Sequence, residues 1–136
     1  MEKLQILRPD DWHVHFRDNN FLHETVPSTA RYFQRAIVMP NLNPPVTNAE
    51  LAKSYEQRIL KARPQGSQFE PLMTIYLNGE TQADDIRKAK QAGVLAAKLY
   101  PAGATTNSQS AVKSIFDLKP IFEEMAEQNM ILLVHG

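Results

Sequence analysis

Short apolar stretches recur along the chain, at about Leu4 to Phe16, Ala36 to Met39, Pro71 to Leu77, Val94 to Tyr100 and Met130 to Val134. Each reads as a strand. The segments between them carry helical spacing instead. Thr47-Asn48-Ala49-Glu50 has the form of a capping box, and Leu51, Tyr55 and Ile59 follow at four-residue intervals. Thr81-Gln82-Ala83-Asp84 opens a second predicted helix, which Gly93 ends. Leu118, Ile121, Phe122 and Met125 form the apolar face of a third, with Pro120 tolerated in its first turn. A weaker helix is expected from about Pro27 to Phe33. Strands alternating with helices at this spacing predict an α/β chain with a parallel sheet and crossover helices.

Two architectures share that pattern. One is a small open doubly wound sheet. The other is the first part of an eight-stranded barrel, which needs roughly 250 residues in all. Periodicity does not choose between them. Ile131-Leu132-Leu133-Val134-His135-Gly136 reads as a strand with no covering helix after it. The expectation is therefore a truncated chain, whose open sheet edge would favour association or poor solubility. A nucleotide-binding sheet is disfavoured, because no glycine-rich loop follows the first strand.

Composition narrows the function classes. The 136 residues, 43% of them hydrophobic, suffice for one domain with a real core. Fifteen basic and fifteen acidic side chains cancel, and no Lys/Arg run provides a footprint for nucleic acid. The apolar runs are too short to span a bilayer, and Met1-Glu2-Lys3-Leu4-Gln5 lacks a secretory core. The absence of cysteine removes disulfides, thiolate metal ligands and thiol nucleophiles. A soluble, cytoplasmic domain is expected.

Parallel α/β folds bind ligands beyond the carboxyl ends of their strands. The polar residues fall there. In Asp11-Trp12-His13-Val14-His15-Phe16-Arg17-Asp18, side-chain alternation would put His13, His15 and Arg17 on one face. Two imidazoles at i and i+2 can share one metal ion, though a His-X-His pair is more often just two surface histidines. Asn41 follows the second strand, where it could bind a carboxylate or simply serve the turn. Lys98 sits in Val94-Leu95-Ala96-Ala97-Lys98-Leu99-Tyr100-Pro101, a stretch too apolar for a solvated ammonium. Burial favours the neutral amine, which can form a Schiff base or add carbon dioxide, unless the side chain snorkels to solvent. The small polar loop from Ala102 to Ser108 has the composition of a lid. His135 ends the fifth strand, while His23 reads as a surface residue.

These positions together resemble the binuclear site of the amidohydrolase superfamily. The strings Arg8-Pro9-Asp10-Asp11-Trp12-His13-Val14-His15-Phe16-Arg17-Asp18, Ala36-Ile37-Val38-Met39-Pro40-Asn41-Leu42, Ala97-Lys98-Leu99-Tyr100-Pro101-Ala102 and Leu132-Leu133-Val134-His135-Gly136 resemble the bacterial dihydroorotases of the shorter, monofunctional type. So do Pro44-Pro45-Val46-Thr47 and Thr105-Thr106-Asn107-Ser108. The resemblance runs in order over nearly the whole chain.

The resemblance implies a (β/α)8 TIM barrel, with residues 1–136 forming the N-terminal portion of a single domain and covering about five strands. It implies reversible, zinc-dependent cyclisation of N-carbamoyl-L-aspartate to L-dihydroorotate in pyrimidine biosynthesis. His13 and His15 would bind one of two Zn2+ ions, carboxylated Lys98 would bridge both, and His135 would bind the second. Arg17 and Asn41 would hold the substrate carboxylate, with Thr105 and Thr106 in the loop that closes over it. A further zinc-binding histidine and a proton-shuttling aspartate would lie on later strands, so no catalytic acid or base is expected within this span. The full-length protein is expected to be a homodimer. The alternatives are another cyclic-amide hydrolase, such as a hydantoinase or allantoinase, and a non-catalytic scaffold subunit of the same family.

Overall fold

A computed structural model of the chain describes residues 3–101 and 114–135. Among them, six short strands form: β1 (Asp11–Val14), β2 (Arg35–Val38), β3 (Glu70–Leu72), β4 (Thr74–Leu77), β5 (Ala96–Leu99) and β6 (Ile131–Val134). Four α-helices alternate with them: α1 (Leu22–Tyr32), α2 (Ala49–Ala62), α3 (Ala83–Gln91) and α4 (Lys119–Glu127).

All pairing is parallel, in the orders β1-β2-β3 and β4-β5-β6. Only Met73 separates β3 from β4, and the Thr74 hydroxyl donates to the Val38 carbonyl of β2. The two sheets thus continue one another, and the strands follow in chain order without reversal. Consecutive helices pack on each other, α1 on α2, α2 on α3 and α3 on α4. A doubly wound sheet would reverse its strand order and split its helices between two faces. One helical layer over sequentially ordered parallel strands is the wall of a (β/α)8 barrel.

Strand periodicity sorts the side chains into two sets. Ala36, Val38, Ile75, Leu77, Ala97 and Leu99 join the helix-facing core with Val26, Tyr55, Ile59, Ile86 and Ile121. Burying each large aliphatic side chain here contributes about 1.5–3 kcal/mol. Alternate positions, among them Tyr76, Lys98 and Tyr100, turn to the opposite face and are also buried.

Local signals place the helices with some shifts. Asn48 is the N-cap of α2, its side chain accepting from the Leu51 backbone N–H at 3.0 Å. The cap is therefore Asn48 rather than Thr47, and Ala52, not Leu51, joins Tyr55 and Ile59 on the buried face. Leu51 is 40% exposed. At α3, the Asp85 carboxylate accepts from the Gln82 N–H at 2.9 Å, and Gly93 (φ 85°) follows the last turn.

Two expectations are corrected. The first strand does not extend from Leu4, because a strand needs a neighbour and β2 supplies one only from Asp11 onward. Leu4, Ile6 and Leu7 are 88%, 76% and 93% exposed. Helix α1 starts five residues before Pro27 and runs through it. The carbonyl that loses its partner belongs to exposed His23, while Leu22, Val26 and Ala30 bury the opposite face. The Thr25 hydroxyl, donating to the carbonyls of Phe16 and Phe21 at 3.0 and 2.9 Å, anchors the helix start.

Candidate metal centre

The carboxyl end of β1 carries the histidine pair. The backbone N–H of Met39 donates to the Val14 carbonyl at 2.9 Å, which keeps the chain extended past the last ladder residue. His13 and His15 consequently fall on one side, with their Nε2 atoms 3.1 Å apart and ring centroids 5.1 Å apart. Both rings favour the neutral form. His15 is lowered to about 4, chiefly by burial and then by the charges of Arg17 and His13, against a hydrogen bond with Asn41. His13 is lowered by burial and by the charge of Lys98. Two neutral imidazoles turned toward one point offer lone pairs to a cation.

Arg17 does not continue the strand face as alternation predicts. Its φ of 60° places it in the left-handed region, and the Tyr55 hydroxyl donates to its carbonyl. That turn leaves the guanidinium near the site, where its charge acts on His15 and its Nη1 is buried with no partner among the described residues. Asn41, 2% exposed, follows β2 in a turn whose Pro40 carbonyl accepts from Leu42 and Val46, both at 2.9 Å. The next X-Pro bond, Asn43–Pro44, is cis.

Lys98 is 3% exposed on β5, facing Tyr76 of β4 and Leu133 of β6 in register. Its Nζ donates to the Val134 carbonyl at 3.3 Å and lies 5.3 Å from the centre of the Tyr100 ring. No carboxylate among the described residues pairs with it. Burial lowers its pKa, so the amine has an enlarged neutral fraction. His135, just past β6, is fixed by its N–H donating to the Leu99 carbonyl at 3.1 Å. Its ring lies 5.5 Å from that of Tyr100, and its charge also reaches His13.

His13, His15, Arg17, Asn41, Lys98 and His135 therefore gather at the carboxyl ends of β1, β2, β5 and β6. Thr105 and Thr106 lie outside the described residues. No group of three or more His, Asp or Glu side chains converges among the described residues. The donor set is imidazole plus one amine, a chemistry that fits a borderline-soft metal ion. Two residues of this face were not foreseen. Tyr76 and Tyr100 stack with ring centroids 5.1 Å apart, and in the sequence each is indistinguishable from a core aromatic.

A parallel α/β barrel wall with its polar groups at the strand carboxyl ends defines the class of protein. A family model described as the amidohydrolase family matches residues 10–136, and the chain belongs to that family. Over all 136 residues it is 68% identical to a dihydroorotase of Pseudoalteromonas atlantica, covering 40% of that protein. The chain spans about 40% of the length of the curated relatives it matches. Among solved structures, it superposes on a dihydroorotase of Campylobacter jejuni with TM-score 0.88 and 45% identity, over 95% of this chain and 38% of that one. Dihydroorotase of Saccharomyces cerevisiae, in complex with 5-fluoroorotic acid, gives TM-score 0.85 and 34% identity, over 94% and 35%. Among the described residues, no helix is long and apolar enough to cross a membrane.

Proposed function

We propose that the protein is a zinc-dependent dihydroorotase, interconverting N-carbamoyl-L-aspartate and L-dihydroorotate in the cytoplasm. Residues 1–136 are read as part of one barrel domain, and the whole protein as a homodimer. The observation that carries the reading is the pairing of His13 and His15 beside a buried lysine, whose charge acts on His13 and which has no acidic partner among the described residues. The 68% identity to a dihydroorotase supports the choice of reaction.

In this reading His13 and His15 would hold one zinc ion and His135 the second. The neutral amine of Lys98 would add to carbon dioxide, forming a C–N bond as one C=O π bond opens and an N–H proton leaves to solvent, and the resulting carbamate would serve as an anionic metal ligand. When bound, two zinc ions supply Lewis acidity and a water acidified toward neutral pH. The remaining residues bind and orient. Arg17 offers a planar fork that suits a carboxylate, and Asn41 adds an amide beside His15. Thr105 and Thr106 are assigned to a loop that covers the bound substrate. Desolvation by the buried strand face strengthens each of these polar contacts.

The test is zinc analysis and turnover of the full-length protein. Close to two zincs per chain and hydrolysis of L-dihydroorotate are expected. A metal-loaded protein that opened hydantoin but not dihydroorotate would overturn the assignment.

A further inference from the structure

Three polar atoms on the site face are buried without a hydrogen-bond partner among the described residues: the hydroxyls of Tyr76 and Tyr100, and Nη1 of Arg17. Leaving such groups unpaired opposes folding, so native structures seldom retain them without a ligand or other use. Here they belong to one constellation. The tyrosine rings stack at 5.1 Å with an interplanar angle of 22°, and Tyr100 touches both Lys98 and His135 through its ring. The charge of Arg17 also acts on Tyr100, which ties the guanidinium to the same neighbourhood. A phenol ordinarily ionises only at about pH 10, so each keeps its proton at neutral pH and can donate.

Two phenols free to donate and a guanidinium that can only donate, with no negative charge among them, suit an anion. We propose that the Tyr100 and Tyr76 hydroxyls are substrate-contacting donors that, with Nη1 of Arg17, bind the carboxylate of the pyrimidine acid. This rests on the dihydroorotase reading and extends its carboxylate pocket beyond Arg17 and Asn41. The phenols discriminate by hydrogen bonding, since an uncharged analogue would leave all three donors buried and unpaired. Phenylalanine at either position keeps the ring stack and removes only the donor.

The experiment uses the full-length, zinc-loaded protein carrying Tyr100→Phe or Tyr76→Phe. Its readouts are kcat and KM for L-dihydroorotate, orotate binding by calorimetry, zinc content, and the melting temperature without ligand. With Tyr100→Phe, KM and the orotate Kd are expected to rise about tenfold. Zinc content should be unchanged and the ligand-free melting temperature equal or higher, because an unpaired buried hydroxyl has been removed. A wild-type KM and orotate Kd in both variants would overturn the inference while leaving the dihydroorotase reading intact. So would weaker binding accompanied by zinc loss, which would make the ring a support for Lys98 and His135. Absence of both turnover and orotate binding in the wild-type protein would overturn the reading beneath it.

Discussion

His13 and His15 bring their Nε2 atoms to 3.1 Å from one another, a distance at which two facing imidazoles cannot both be protonated there. One nitrogen must act as acceptor, and a shared cation removes the conflict altogether. Replacing either histidine by alanine should therefore lower zinc content by about half or more and abolish turnover, since a site with one fewer imidazole is an incomplete ligand set. Elemental analysis of the full-length variants checks this. Full zinc occupancy in both single variants would remove the pair from the ligand set.

Lys98 gives opposite effects on stability and function. A buried amine whose one hydrogen bond among the described residues is to the Val134 carbonyl is costly to desolvate, so Lys98→Met should stabilise the metal-free protein by about 1–2 kcal/mol. If Lys98 is the proposed metal ligand, the same variant should also lose zinc and all turnover. Urea denaturation of the metal-free protein, paired with zinc analysis, reads both effects. A large destabilisation would mean the lysine's own contacts hold the metal-free fold together.

Asp18 and Arg58 set part of the acid sensitivity. The Arg58 guanidinium grips both carboxylate oxygens at 2.9 and 2.8 Å. Burial alone would raise the Asp18 pKa, but the hydrogen bonds from Arg58 and the Asn19 N–H outweigh it and leave the group below its ordinary value of 3.8. A carboxyl depressed in the folded state contributes stability above its unfolded pKa and loses it as pH falls through the folded one. Asp18→Asn should thus cost on the order of 1 kcal/mol at neutral pH, discounted because Arg58 is 40% exposed. The difference from wild type should shrink as pH falls below 3.8. Thermal denaturation of the two proteins across that range tests the sign.

Gly93 offers a clean backbone test. It ends α3 at φ 85°, and a methyl group placed on it would meet nothing within 4 Å. Gly93→Ala should therefore cost about 1 kcal/mol from backbone strain alone, with no effect on zinc binding. A neutral result by urea denaturation would show that the turn can relax to negative φ.

The sequence by itself determined the alternation of strands and helices, the stop of α3 at Gly93, and the placement of His13, His15, Asn41, Lys98 and His135 at or just past strand ends. These follow from local rules: period-two and period-3.6 patterning, caps, and the cost of burying a charged lysine. It could not choose between an open sheet and a barrel wall, because that depends on strand order, which only long-range pairing decides. The length of β1 was misjudged for the same reason, since Leu4 to Leu7 are as apolar as any strand but have no neighbour to pair with. Leu51 and Ala52 exchanged places because the packing of α2 against its neighbours, not side-chain size, set which face was buried. Tertiary structure alone revealed Tyr76 and Tyr100 as polar groups. A tyrosine in an apolar strand reads as core, and only the β4–β5 register turned both rings onto the face of Lys98, with their hydroxyls buried and unpaired.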